Sequence, residues 1–153
     1  LALTRLKEKA NAMELRDRIE IINASALNPL KFKNKFDVII AEGLLNVIGF
    51  QYGLTLLLKN IKNGGYIIIH DELKDDEEKR ILFKNNNLLL IDSFVLTAEV
   101  WWNEYFFPLI KKIEDSNEKE IFKKEIAEIE ECKKNPSPQE SIFYILKKQN
   151  NYE

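Results

Sequence analysis

Apolar positions recur along this chain with two different periods, and the switches between them outline its elements. Leu3, Leu6, Ala10 and Met13 fall at helical spacing with Arg5, Lys7, Glu8 and Lys9 between them, so residues 1 to 13 read as a helix. Arg18 to Asn23 (RIEIIN) is rich in β-branched residues and predicts a short strand, followed by the polar loop NASALNPLKFKNK with Pro29 in it. Phe36 to Ala41 is apolar on successive residues rather than in alternation, which predicts a strand buried on both faces, as parallel sheets require. A helix from about Gln51 to Ile61 follows, its buried stripe formed by Leu54, Leu57, Leu58 and Ile61. The glycines of NGG at 63 to 65 are expected to close it. Tyr66 to His70 (YIIIH) is a third apolar strand. Asp75, Asp76, Glu77 and Glu78 place negative charge where a helix start favours it, and Asn85 to Asn87 end that helix.

The second half is patterned differently. Leu88 to Leu96 and Ser141 to Lys148 read as long strands that look antiparallel, with helical pattern between them. Asn117 and Glu120 form a candidate capping pair for the Lys/Glu-rich 118–134 segment, which reads as a solvated amphipathic helix, and NPSPQ at 135 to 139 is its exit loop. Trp101, Tyr105 and Leu109 would share one helical face, with Trp102, Phe106 and Ile110 on the adjoining one. Pro108 belongs in a first turn or at a kink.

Strand, helix, strand, helix, strand is the order of crossover units in an α/β protein. In an open α/β sheet, ligands bind outside the carboxyl ends of the strands. Three segments sit at such ends: Ser25-Ala26, Glu42-Gly43 and His70-Asp71-Glu72. A carboxylate and a glycine end the Phe36–Ala41 run abruptly, which is poor continuation of a strand but suits a ligand, because glycine lets backbone approach closely.

The run RIEIINASALNPLKFKNKFDVIIAEGLLNVIGFQYGLTLLLKNIKNGGYIIIHDEL resembles the second half of a class I S-adenosylmethionine-dependent methyltransferase domain. The carrying features are strand–NASAL–loop–FDVIIAEG, then helix–NGGYIII, in that order and spacing. The segment AEVWWNEYFFPL is similar to the aromatic opening of a helical insertion found in one subgroup. The resemblance covers residues 1 to 113 well and 114 to 148 loosely. It implies a Rossmann-like, mostly parallel α/β sheet with an antiparallel last strand, a helical insertion before that strand at 114–140, and the first two strands missing. On that reading, residues 1–153 form a single incomplete methyltransferase domain.

The resemblance also implies roles. S-adenosylmethionine is the expected cofactor, with Ser25 and Ala26 at its adenine and Glu42, Gly43 and Leu44 along its methionine moiety. Serine stands at 25 where the family commonly has an acid, which weakens that contact and favours, as an alternative, a methyltransferase-like binding domain without activity. A nicotinamide-dependent oxidoreductase is the third reading. No G-x-G-x-G occurs in these 153 residues, and Leu1 is neither methionine nor preceded by a cap. The chain is therefore expected to lack its true N-terminus, and by itself to bind the cofactor very weakly or not at all.

Methyl transfer asks little of a protein beyond alignment and dryness, because the sulfonium is already activated. A base is needed only for an acceptor that is protonated at rest. His70, the single histidine, is the candidate, with Asp71 and Glu72 beside it. Trp101, Trp102 and Tyr105 are the candidate walls of a pocket for a small or apolar acceptor. One histidine and one cysteine, Cys132, give no metal-ligand spacing and no internal disulfide. A net charge of −2 with interspersed signs points away from nucleic acid, and the longest apolar runs are far too short for a bilayer. A cytoplasmic location is expected; the oligomeric state is not legible.

Overall fold

A computed structural model describes residues 2–25, 32, 34–117, 119–135 and 140–150. The chain divides into two units, Leu1–Phe32 and Lys33–Glu153.

In the first unit, α1 spans Ala2–Ala12, as the periodicity predicts. Glu14 ends it in the left-handed region (φ 56°), with Leu15 N–H donating back to Ala10 O at 2.8 Å. The strand expected over Arg18–Asn23 does not form. A 3₁₀ turn occupies Arg16–Arg18, and residues 19–25 beyond it are neither helix nor strand. Ile19 is extended (φ −125°, ψ 116°), so the local preference is expressed. A strand also needs a ladder partner, and the sheet formed by the described residues does not include this segment.

The second unit holds a four-stranded sheet of order β1-β2-β4-β3, with β1 Phe36–Glu42, β2 Ile61–Glu72, β3 Leu88–Leu96 and β4 Ser141–Lys148. β1 and β2 are parallel; β4 runs antiparallel to both β2 and β3. The expected sheet with a reversed last strand is the one observed. Helices α2 (Leu45–Ile48), α3 (Phe50–Asn60) and α4 (Asp76–Asn85) cover one face. Leu45, Leu54, Leu57 and Phe83 pack there on Ile67, Ile69, Tyr144 and Leu146. Tyr144 also pins α4: its hydroxyl donates to Asp76 Oδ1 at 2.7 Å, while Arg80 Nε donates to both Asp76 oxygens at 2.9 Å. Burial, then that hydrogen bond, raises the Tyr144 hydroxyl well above its usual pKa.

The opposite face is covered only in part. Val38 and Ile40, expected to be buried, belong to the opposite face, where Ile40 is 67% exposed. Leu88 and Leu90 join the core. Ile91 is then an extra residue: Leu90 pairs with Leu146 but Asp92 with Ile145, a bulge that places Phe94 opposite Phe143.

The NGG stretch lies inside β2 rather than closing a helix. α3 ends at Asn60, and Ile61, expected on the helical stripe, starts the strand fully buried. Phe36 pairs with Ile61 and Val38 with Tyr66, so the glycines occupy an irregularity in the ladder. Gly64 takes φ +76°, and a Cβ on Gly65 would stand 2.9 Å from the Asp37 carbonyl oxygen. Gly65→Ala is expected to lower stability by about 1–3 kcal/mol, because backbone cannot yield as a side chain can. Urea denaturation measures this; an unchanged midpoint would show that the ladder relaxes.

Between β3 and β4 the chain forms α5 (Ala98–Trp101), a π turn (Trp102–Phe106), α6 (Phe107–Glu114), a 3₁₀ turn (Lys119–Phe122) and α7 (Lys123–Lys134). Thr97 caps the start, its hydroxyl accepting from Val100 N at 3.4 Å. α7 begins after Phe122 with no side-chain cap, and residue 118, at the start that Asn117 and Glu120 were expected to cap, lies outside the described residues. Phe106, Ile113, Ile129 and Cys132 form a separate small core. Cys132 is a packed residue whose thiol pKa is raised, first by burial and then by Glu128. The exit loop at 136–139 lies outside the described residues. Among the described residues, no helix is long and apolar enough to cross a membrane.

Candidate functional site

Because β1 and β2 are parallel and β4 is reversed, the ends of the first two and the start of the third meet at one edge of the sheet. Glu42, His70 and Phe143 are register partners in a row, so their side chains share the face opposite α2, α3 and α4. His70 is 4.1 Å from the Phe143 ring, centroid to centroid and 1° from parallel, and 5.9 Å from Trp101. Its Nε2 hydrogen-bonds Ser141 Oγ at 2.8 Å, and Ser141 Oγ accepts from Trp101 Nε1 at 3.0 Å. Its Nδ1 lies 3.8 Å from Glu42 Oε1. Burial lowers the His70 pKa, and Glu42 and then Asp71 partly offset this. His70 therefore stays neutral, and basic, at neutral pH.

Asp71, next along β2, points its charge toward α4. Lys79 Nζ sits 3.2 Å from Asp71 Oδ2 and donates to the Glu72 carbonyl at 2.5 Å. Asp71 Oδ1 is buried without a hydrogen-bond partner among the described residues. In front of this edge is a cleft of about 300 Å³. Gly43 and Asn46 line it from the β1 end, and His70, Asp71 and Glu72 from β2. Trp101, Phe106 and Glu128 close it from the helices, with Glu140 and Ser141 at the start of β4. Among the described residues, no three His, Cys, Asp or Glu could hold a metal ion.

The π turn decides which aromatics reach the cleft. Phe107 N–H donates to Trp102 O, five residues back, and Pro108 next to it has no N–H to give. The wider turn brings Trp101 and Phe106, five apart, to the same wall. Tyr105 touches Trp101 edge-on (5.7 Å, 87°) but stays partly exposed, and Trp102 packs on the small helical core. Phe107, next to the turn, is exposed.

At the end of β1, the Glu42 side chain is 74% exposed. Gly43 has φ +58°, donates its N–H to His70 O at 3.2 Å, and has open space where a Cβ would stand. Leu44 packs against the main core. An exposed carboxylate followed by an uncrowded backbone fits a ligand carrying an ammonium or sulfonium. Ser25 is exposed in the first unit, and Ala26 lies outside the described residues.

Ser141, Lys79, Glu128 and Glu140 were not legible as site residues. Ser141 stands 71 positions from His70 and nears it only because β4 lies beside β2. Pairing the last strand antiparallel beside β2 would have been the one signal for it.

No family model and no curated protein matches the chain. Solved structures do. StiE O-MT aligns at 17% identity and a TM-score of 0.62, over 95% of this chain and 55% of that one. A SAM-dependent methyltransferase from Geobacter sulfurreducens, in complex with S-adenosyl-L-homocysteine, aligns at 13% and 0.62, over 94% and 70%. The [4+2]-cyclase SpnF aligns at 12% and 0.71, over 93% and 61%. This chain spans little more than half of the first and under three quarters of the others. The fold is thus the Rossmann-like fold of class I methyltransferases. The cyclase carries it too, so the fold alone does not fix the reaction.

Proposed function

We propose that this chain, as part of the full-length protein, transfers a methyl group from S-adenosylmethionine to a small or apolar acceptor held in the cleft beside His70. The observation that carries the reading is the convergence of Glu42-Gly43, His70 and the Trp101–Phe106 wall on one sheet edge. The bound cofactor supplies an activated methyl carbon; these residues supply place and polarity. Glu42, Gly43 and Leu44 face its methionine end, with Glu42 opposite positive charge. Ser25 and Ala26 are proposed for the adenine.

Trp101 and Phe106 shield the acceptor from water and align it for in-line displacement. Ser141 occupies Nε2 of His70, which leaves Nδ1 to take the acceptor's proton. The imidazolium so formed has the Glu42 carboxylate 3.8 Å away. A cytoplasmic protein acting on small molecules suits the net charge of −2 and the buried thiol of Cys132. An inactive binding domain and an oxidoreductase are not favoured by the methyltransferase neighbours.

The test is incubation of the full-length protein with methyl-tritiated S-adenosylmethionine and a panel of small amines, alcohols and carboxylic acids. Label in an acceptor supports the reading. Cofactor bound, with no label passed to any acceptor, would leave the inactive binding domain in its place.

A further inference from the structure

We propose that Ser141 decides which acceptors the cleft takes: it calls for a hydrogen-bond-accepting oxygen on the ligand, separate from the hydroxyl to be methylated. The role of that hydroxyl rests on the methyltransferase reading, whereas the call for the oxygen follows from the hydrogen bonds at Ser141 and His70. A serine hydroxyl has three hydrogen-bonding positions, its own hydrogen and two lone pairs. Trp101 Nε1–H fills one lone pair at 3.0 Å, since an indole nitrogen only donates. His70 Nε2, at 2.8 Å, takes a second position. Among the described residues the third is left to the cleft, which Ser141 lines while only 8% exposed.

What that third position offers is set by the imidazole. A neutral histidine carries one ring hydrogen, on Nδ1 or on Nε2. With it on Nε2, that nitrogen donates to Oγ, both lone pairs are filled, and Ser141 has only its own hydrogen to give. Nδ1 is then bare and basic. With the hydrogen on Nδ1, facing Glu42 Oε1 at 3.8 Å, Ser141 donates to Nε2 and has only a lone pair to give. The form in which His70 is a base at Nδ1 is thus the form in which Ser141 donates to the ligand. A ligand oxygen that accepts from Ser141 therefore holds the imidazole in its base-competent form, and a ligand donor there holds it in the other. Trp101 makes the coupling strict: without its N–H, Oγ would keep a lone pair free in either form.

The ligand class follows: a small, largely apolar molecule with a hydroxyl and a separate carbonyl-type oxygen, its body against Trp101 and Phe106. In transfer, the hydroxyl proton goes to Nδ1. The oxygen pair it leaves bonds to the methyl carbon as the carbon–sulfur bond breaks, its electrons staying on sulfur. Charge is conserved, one sulfonium entering and one imidazolium leaving. Nε2 keeps its hydrogen on Ser141 throughout, so Ser141 never has to withdraw its own from the ligand.

Calorimetry with the full-length protein compares meta- and para-hydroxyacetophenone with the matching ethylphenols, which carry a methylene in place of the carbonyl. At least one ketone should bind about three- to tenfold tighter than its ethyl counterpart, the worth of one hydrogen bond. Ser141→Ala should erase that difference and leave ethylphenol binding and the circular dichroism unchanged. Nitrogen-15 labelling of histidine gives a readout that a packing role would not move. Above pH 7, where the imidazole is neutral, bound ketone should place the His70 hydrogen on Nε2, in signals identified by their absence from His70→Gln. That measurement on the unsubstituted protein decides the matter where Ser141→Ala does not fold. Equal binding of ketone and ethylphenol in both pairs, a difference that survives Ser141→Ala, or a hydrogen on Nδ1 with ketone bound overturns the proposal. The expected binding and ring-nitrogen signals without any methylated product defeat the methyltransferase reading instead. Methyl transfer to the ethylphenols as fast as to the ketones defeats only this proposal.

Discussion

His70→Gln is expected to lower kcat by about 10²–10⁴-fold, the usual contribution of a positioned base, while the substitution keeps a polar group in place. The same exchange should remove the acid limb of the pH–rate profile. Burial holds the His70 pKa below its ordinary 6.5 despite Glu42 and Asp71 nearby, so the limb in the unsubstituted protein should fall below that pH. Stability should carry the same signature. Between the folded pKa and 6.5 the unfolded chain binds more protons than the folded one, so stability rises with pH across that window. It is fully present above 6.5 and lost as pH falls through the folded value. In His70→Gln that slope should vanish. A variant that keeps both its rate and its acid limb would show that His70 only packs between Phe143 and Trp101.

Lys79→Met is expected to cost about 3–5 kcal/mol of stability, because it strands a buried carboxylate. The Asp71 side chain is 2% exposed and that of Lys79 10%. With Lys79 gone, neither Asp71 oxygen has a cation, and the Glu72 carbonyl loses a donor as well. Adding Asp71→Asn should recover part of the loss, since the desolvated charge disappears with it. Chemical denaturation of the single and double variants checks both statements. A loss below about 1 kcal/mol in the single variant would mean that water reaches the pair.

What the sequence made legible was what depends on near neighbours. β3 and β4 fall where their apolar runs fall, and β1 and β2 extend theirs at the ends. Glu42 and His70 are brought together because order and parallel pairing follow from strand–helix–strand spacing. Arg18–Asn23 failed because propensity supplies half of a strand and a neighbour supplies the rest. NGG was misplaced because glycine's left-handed turn serves a ladder irregularity as readily as a helix end. Ser141, Lys79 and Glu128 could not be read at all: each matters through a partner on another element, and nothing in its own neighbourhood marks it. The aromatic segment was legible as a wall, but the π turn shifted which ring faces inward, exchanging Tyr105 for Phe106.

Ile91 links a count to a chemistry. Leu88, Leu90 and Phe94 all have even numbers, and strict alternation would send them to one side. The surplus residue inverts that parity midway, so the first two meet the helices while Phe94 lies 4.9 Å from Phe143, the ring on which His70 rests. The floor beneath the imidazole is therefore specified by how many residues β3 contains before Phe94. Shortening the strand by one would dismantle that floor with every reactive side chain left intact.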